Sequence, residues 1–145
     1  MCAGNPEANC IFCAIVAGKA PAEIIYEDDA TLAFMDINPA NRGHALIIPK
    51  RHALDLSDIG QEAAAAVMRT AVHVAGAIRE TLSPDGVNLF HASGRAAFQS
   101  VFHFHVHVVP RWRGDALTLP WRPTRGDPAA IRSVAAQIRE HLQEQ

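Results

Sequence analysis

The sequence predicts an α+β domain, an antiparallel sheet of about five strands combined with one long helix and a C-terminal helix. Short apolar runs recur between turn-forming stretches and read as hairpin-linked strands. A single long run from Glu62 to Leu82 places Ala64, Val67, Ala71, Val74, Ile78 and Leu82 at helical spacing. Near the end, Asp127-Pro128 opens a further helix through His141, with proline in its first turn.

The elements follow in chain order. Ile11 to Gly18 reads as a short helix with Ile11, Phe12, Ile15 and Val16 on its apolar face, closed by Pro21. Glu23 to Glu27 and Thr31 to Asp36 read as strands joined by the turn residues Asp28-Asp29. A loop over Asn38 to Gly43 leads into the apolar strand Ala45 to Pro49. Asp58 and Gln61, three residues apart, look like a capping pair for the long helix. Ser83-Pro84-Asp85-Gly86 ends that helix, and Val87 to His91 forms a strand. Gly94 to Gln99 forms a loop, and Val101 to Arg111 the last clear strand. No internal repeat or low-complexity segment is visible.

Composition narrows the function. The chain has 145 residues, enough for one domain with a real core. Its net charge of -2 provides no overall basic field for a nucleic-acid backbone, so a phosphate-bearing ligand needs a local site. Met1 to Glu7 shows no secretory signal, and no apolar run is long enough to span a membrane. The expected location is the cytoplasm. Three cysteines, Cys2, Cys10 and Cys13, argue against a disulfide framework. Cys10-x-x-Cys13 alone fits a redox dithiol, half a metal site, or two small apolar residues in a first helix. Cys2 has no evident partner.

The chemistry concentrates in His103-Phe104-His105-Val106-His107. Alternation on a strand puts His103, His105 and His107 on one face and Phe102, Phe104, Val106 and Val108 on a core face. Three histidines in strict alternation are more than a tolerated solvated face. All three on one straight strand converge poorly on a tetrahedral ion, whereas one on a metal and the others facing substrate is easier.

These residues resemble the histidine-triad (HIT) proteins, and within them the Hint and Fhit-like nucleotide hydrolases. The resemblance runs from about Asn9 to Arg111. It rests on Cys-Ile-Phe-Cys at 10–13, Ile-Ile-Tyr-Glu-Asp-Asp at 24–29 and Leu-Ala-Phe-Met-Asp-Ile-Asn-Pro at 32–39. Gly-His-Ala-Leu-Ile-Ile-Pro-Lys-Arg-His at 43–52 and Gln-Ser-Val-Phe-His-Phe-His-Val-His-Val-Val-Pro-Arg at 99–111 extend it. It implies one HIT domain over residues 1–145, with a variable segment at 112–145.

The resemblance also implies roles. The middle histidine, His105, is the nucleophile, with a neutral imidazole attacking phosphorus to form a nucleotidyl-histidine. His107 and Gln99 hold the phosphate, Ser100 lies near the leaving group, and His44 supports the site. Asp36 accepts from ribose hydroxyls, while Ile11, Phe12, Ile15, Phe34 and Ile37 enclose a purine. Ala92 stands where an amide donor is common, so Ser93 or His91 is a candidate replacement, and Phe98 stands where Gly is common. Members with Cys-x-x-Cys bind structural zinc, which implies Cys10, Cys13, His52 and His103 as a closed Cys2His2 set.

Family members are usually homodimers that use the long helix and a strand, and Ala71, Ala75 and Gly76 permit close helix approach. The implied activity is cleavage at the α-phosphate of purine nucleotides, as a nucleoside phosphoramidase, with no organic cofactor. A dinucleoside polyphosphate hydrolase or phosphorylase is the alternative. A nucleotide-binding protein without turnover has no need of a nucleophile, and a zinc module for nucleic acid lacks a basic patch.

Overall fold

The computed structural model describes residues 6–145. Cys2 and the start of the Met1–Glu7 segment lie outside the described residues. The chain divides into two compact units, one reaching to Asp115 and the other spanning Ala116–Gln145.

The first unit is α+β. Helix α1 (Ile11–Val16) precedes strands β1 (Ile24–Glu27), β2 (Thr31–Met35) and β3 (Ala45–Pro49). Helix α2 (Gln61–Leu82) follows, then β4 (Gly86–Phe90) and β5 (Val106–Arg111). The five strands form one antiparallel sheet in the order β1-β2-β3-β5-β4. At its centre β3 is buried throughout, as its unbroken apolar run requires.

Both faces of the sheet are covered. Ala33, Ala45, Ile47, Val106 and Val108 pack with Val67, Ala71, Val74 and Ile78 of α2. Leu32, Phe34, Leu46 and Ile48 pack with Phe12 and Ile15 of α1. Each fully buried Val, Leu or Ile side chain contributes about 1.5–3 kcal/mol to this association. A buried polar link joins β2 to α2. Thr70 and Thr31 hydroxyls lie 2.7 Å apart, and Thr31 Oγ1 donates to Asp28, whose carboxylate also closes the β1–β2 turn.

Two local expectations are corrected. The Asp58 and Gln61 capping pair does not form: Asp58 accepts from Leu54 N–H at 2.7 Å, and α2 starts after Gly60 with no side-chain cap. Asp58 is therefore occupied in closing the turn before the helix. The last strand begins at Val106 rather than Val101. Its pairing with β3 ends at Ile47 opposite Val106, and Pro49 beyond has no N–H to extend a ladder. Phe104 N–H instead donates to Ala53 O at 2.7 Å. Consequently Phe102 leaves the core face and lies half-exposed, with the Arg95 guanidinium 5.2 Å from its ring centroid.

In the second unit, α3 (Pro128–Gln143) has Asp127 as N-cap, its carboxylate accepting from Ala129 N–H. Ile131, Val134, Ile138 and Leu142 are exposed along it. Among the described residues no helix is long and apolar enough to cross a membrane.

Gly43 is where the chain turns into β3 and toward His44. Its φ is +86°, and a Cβ there would lie 2.5 Å from Leu82 Cδ1 and 3.0 Å from Pro110 Cγ. Gly60 has φ +78° but open space around it. Gly43→Ala should therefore cost more than Gly60→Ala, adding about 1–3 kcal/mol of overpacking to a positive-φ backbone strain of about 1–3 kcal/mol that both share. Urea unfolding of the two variants beside the parent measures the difference, and equal losses would show that the close approach at Gly43 is absorbed without cost.

Candidate active site and metal centre

Two centres flank the start of β5. The first is built on α1. Cys10 is the N-cap of that helix and its sulfur accepts from Cys13 N–H, so the two thiols share one turn. Opposite them, His52 Nδ1 lies 3.2 Å from Cys13 Sγ, and His103 Nδ1 lies 3.4 and 3.5 Å from the two sulfurs. The two ring nitrogens are 3.2 Å apart.

A tetrahedral ion with ordinary zinc–sulfur and zinc–nitrogen bonds would hold such atoms about 3.3–3.6 Å apart, so the donor set fits a metal of that kind. His103 is oriented for it. Its Nε2–H donates to the Pro49 carbonyl at 2.8 Å, which turns the Nδ1 lone pair toward the sulfurs. Burial pushes the His103 ring down to about 4, so it stays neutral at physiological pH. His52 Nε2, by contrast, is buried without a hydrogen-bond partner. Cys10, Cys13, His52 and His103 thus form a possible metal site.

The second centre holds His44, His105, His107 and Asp36. Register fixes its face: Phe34 pairs with Leu46, and Leu46 with His107, so all three project to the α1 side of the sheet. A chain of hydrogen bonds then sets the ring protons. Ala40 N–H donates to His44 Nδ1 at 2.9 Å, so the neutral His44 ring carries its proton on Nε2. That proton points to His107 Nδ1 at 2.9 Å, with Asp36 Oδ2 at 3.5 Å. His107 is left with its proton on Nε2.

His105 has the opposite arrangement. Its Nδ1–H donates to the His103 carbonyl at 2.7 Å, leaving a lone pair on Nε2. The His105 and His107 ring centroids are 4.9 Å apart. One ring is therefore a nucleophile or base and its neighbour a hydrogen-bond donor. Burial holds both below the ordinary imidazole range, and His107, beside His105 and His44, is pushed down to about 4. Asp36, His44 and His107 also lie close enough to share an ion, but the Ala40 N–H occupies the nitrogen whose release would free His44 as a ligand.

A cavity of about 510 Å³ ends at these histidines. Ile11, Phe12, Ile15, Phe34, Leu46 and Ile37 make its apolar wall, with Asp36, Asn38 and Ser100 as polar lining. The volume lies within the ordinary range for small-molecule sites. Phe12 stands edge-on to Phe34 at 5.3 Å and to His105 at 5.2 Å, joining the wall to the reactive ring.

Other residues singled out in the sequence lie elsewhere. Gln99 is buried outside the cavity lining. Its amide donates to the Leu54 and Val101 carbonyls and accepts from Gly94 N–H, which fixes the loop carrying Ser100. The Ser93 hydroxyl accepts from Leu56 N–H and lies 2.5 Å from His91 Nε2. His91 in turn donates from Nδ1 to the His105 carbonyl at 2.9 Å and stacks on Phe104. Sequence reasoning did not find this strut, nor the Ala40 amide, because neither has a motif.

A second brace also escaped it. Asn41 donates to the Pro110 carbonyl and to Asp115, which pairs with Arg111 through two bonds and seats the loop before His44.

Comparison with known proteins agrees with this architecture. The HIT domain family profile matches residues 17–114. An uncharacterised HIT-like protein of Mycobacterium tuberculosis is 49% identical over 110 residues, covering 76% of each chain. The adenylylsulfatase HINT3 of Arabidopsis thaliana is 38% identical over 109 residues, covering 75% of this chain and 55% of that one. A HIT family protein structure from Bacillus anthracis superposes with a TM-score of 0.85 at 34% identity, covering 92% of this chain and 96% of the other. A zinc-bound histidine triad protein from Mycobacterium smegmatis superposes with a TM-score of 0.74 at 44% identity, covering 93% and 99%. With a histidine triad running into β5, a five-stranded antiparallel sheet and this match over most of the first unit, the chain belongs to the HIT domain family, whose members are generally nucleotide hydrolases or transferases.

Proposed function

We propose that this protein cleaves purine nucleotides at the α-phosphate through a covalent intermediate on His105. The observation that carries the reading is the set of hydrogen-bond partners at the Nδ1 atoms of His105 and His107, at the end of an apolar cavity, from which opposite tautomers follow. The base enters between Phe12, Ile15 and Phe34, with Ile11 and Ile37 at the rim, and Asp36 accepts from the ribose hydroxyls. The α-phosphorus then faces His105 Nε2. Its lone pair forms the N–P bond as the bond to the leaving group breaks, and the leaving group departs with a proton taken from solvent water on the Ser100 side. His107 Nε2–H donates to a phosphate oxygen, where charge develops. Water next attacks the phosphorus as the N–P bond breaks and gives up one proton to solvent, so the nucleoside monophosphate leaves and the His105 ring is neutral again with Nε2 bare.

Gln99 acts here by bracing the loop, so that the Ser100 hydroxyl stands on the leaving-group side. Ser93 acts through His91 on the His105 carbonyl rather than on phosphate. The amine of a nucleoside phosphoramidate is the favoured leaving group. A nucleotide, as in dinucleoside polyphosphates, and sulfate, suggested by the adenylylsulfatase relative, are the alternatives.

Zinc is the proposed occupant of the Cys10, Cys13, His52 and His103 site, in keeping with the zinc-bound relative. When bound it supplies a structural cross-link with no open coordination position. A reduced Cys10 and Cys13 pair suits a cytoplasmic location. The single HIT domain is proposed to act as a homodimer, without nucleic-acid or membrane partners. β4 is a sheet edge with Leu89 and Phe90 partly exposed, and Val72, Ala75 and Gly76 of α2 line a groove beside it.

Hydrolysis of adenosine 5′-phosphoramidate, a diadenosine polyphosphate and adenylyl sulfate by wild type and His105→Ala tests the reaction. The wild type should release AMP, with the fastest substrate naming the leaving group, and the variant should lose at least about 1,000-fold in kcat. Nucleotide binding without turnover of any of the three would sink the hydrolase reading for these substrates.

Because burial lowers His105, kcat/KM should keep more than half of its plateau value at pH 6.5 and fall at lower pH than an ordinary imidazole would impose. An imidazole of ordinary range would already have lost half its activity there. The folded chain also binds fewer protons than the unfolded chain between pH 6.5 and about 4, through His107. Stability should therefore be full above this window and fall as pH is lowered across it, which thermal unfolding at stepped pH would measure.

Light scattering should give a dimer for the wild type and a monomer for Val72→Glu/Leu89→Glu. A monomeric wild type, or a variant that stays dimeric, would place the interface elsewhere or remove it.

A further inference from the structure

We propose that His103 is a positioning residue through which metal ligation determines which nitrogen of His105 carries the proton. The inference rests on the reading of His105 as nucleophile and of the four-residue site as a metal centre, and it connects the two.

His103 belongs to both centres at once. Its ring Nδ1 faces Cys10, Cys13 and His52, and its backbone carbonyl receives the His105 Nδ1–H at 2.7 Å. That carbonyl lies outside the sheet, because β5 begins only at Val106. No strand ladder therefore sets its direction. Two other anchors do. One is the His103 ring, held between the Pro49 carbonyl and the ligand cluster. The other is Phe104 N–H on the carbonyl of Ala53, the residue after His52. Both anchors lead back to metal ligands.

Without an ion, the cluster has a reason to come apart. Of the two thiols and the His52 nitrogen at 3.2–3.5 Å, only one could then donate a proton to the single His103 Nδ1 lone pair, a weaker tie than bonds to a shared ion. Rotation of the less firmly tied His103 turns its carbonyl away from His105. Phe12 would move with it, since it sits on the helix that carries both thiols and stands edge-on to His103 at 5.9 Å and to His105 at 5.2 Å. Losing its acceptor, His105 can take the proton on Nε2, the atom that must attack. The metal in this view does not touch substrate. It holds the acceptor that keeps the attacking nitrogen bare.

The test reads tautomers directly. Histidine-labelled protein is followed by long-range ¹H–¹⁵N correlation at one fixed pH during titration with Zn²⁺. His52→Ala removes the ligand that lacks a second hydrogen bond and weakens the site while leaving His103 in place. Zinc-loaded wild type should show His105 as a single Nδ1–H form. Zinc-free His52→Ala should show a mixture that returns to that form as Zn²⁺ saturates, with kcat about 10-fold lower in the zinc-free state.

His52→Cys, which keeps four ligands, should restore the single form at lower Zn²⁺. If His52→Ala does not fold without zinc, His52→Cys held at half occupancy by a chelator buffer gives the same reading, and its His105 signals must divide accordingly. An unchanged His105 pattern in folded protein, whatever the zinc occupancy, overturns the coupling. Failure of the wild type to take up Zn²⁺ overturns the metal reading and this inference together. A zinc-dependent tautomer in a protein that turns over no nucleotide upholds the coupling and rejects only the reaction.

Discussion

The hydrogen bond from His105 Nδ1 to the His103 carbonyl is the interaction on which the candidate site depends. An imidazole attacks only through a nitrogen without a proton, and a neutral ring has one such nitrogen. Donating Nδ1–H to a fixed acceptor two residues back leaves Nε2 bare and aimed at the cavity. The elements around it all help to hold that acceptor and that ring. α1 provides Phe12 against both His103 and His105, Pro49 at the end of β3 holds the His103 ring, and Ala53 holds the Phe104 amide. His91 holds the His105 carbonyl from the β4 side.

The same economy explains how one short segment serves a core and two polar centres. Phe104, Val106 and Val108 face α2 and bury apolar surface, so the polar rings must lie on the α1 side. There the sheet surface is closed by Phe12 and Ile15 next to the rings, which strips water from them. Desolvation makes the charged imidazole costly and keeps His44, His103, His105 and His107 neutral as a group. Neutral rings packed together need their protons ordered. The order runs from Ala40 N–H through His44 to His107, and from His105 to His103. A buried cluster of this kind acts as a proton arrangement fixed by backbone groups, in which Asp36 is a minor electrostatic partner.

Where sequence and structure diverge, competition for hydrogen bonds explains the difference. Asp58 was free to cap α2 by its spacing, yet the Leu54 amide claims its carboxylate. Gln99 has the chemistry to hold a phosphate, and in the folded chain three backbone groups already occupy its amide. The triad has the alternation of a strand, but its first half leaves the ladder after the last β3 partner. His103 and His105 therefore reach different centres instead of standing in one row.

The sequence by itself determined the fold class, the long helix, the order of the strands along the chain, and which side chains could carry the chemistry. Apolar periodicity and turn residues are local properties, and the ligand and triad residues stand out by type and spacing. Which residues meet was decided only in three dimensions. The Cys10 and Cys13 pair meets His103 across 93 and 90 positions. His44 meets His107 across 63. The tautomers depend on single backbone amides and carbonyls, at Ala40, His103 and Pro49, whose directions no side-chain pattern encodes. Every residue has an amide and a carbonyl to offer, and only the packed chain selects which of them faces a ring.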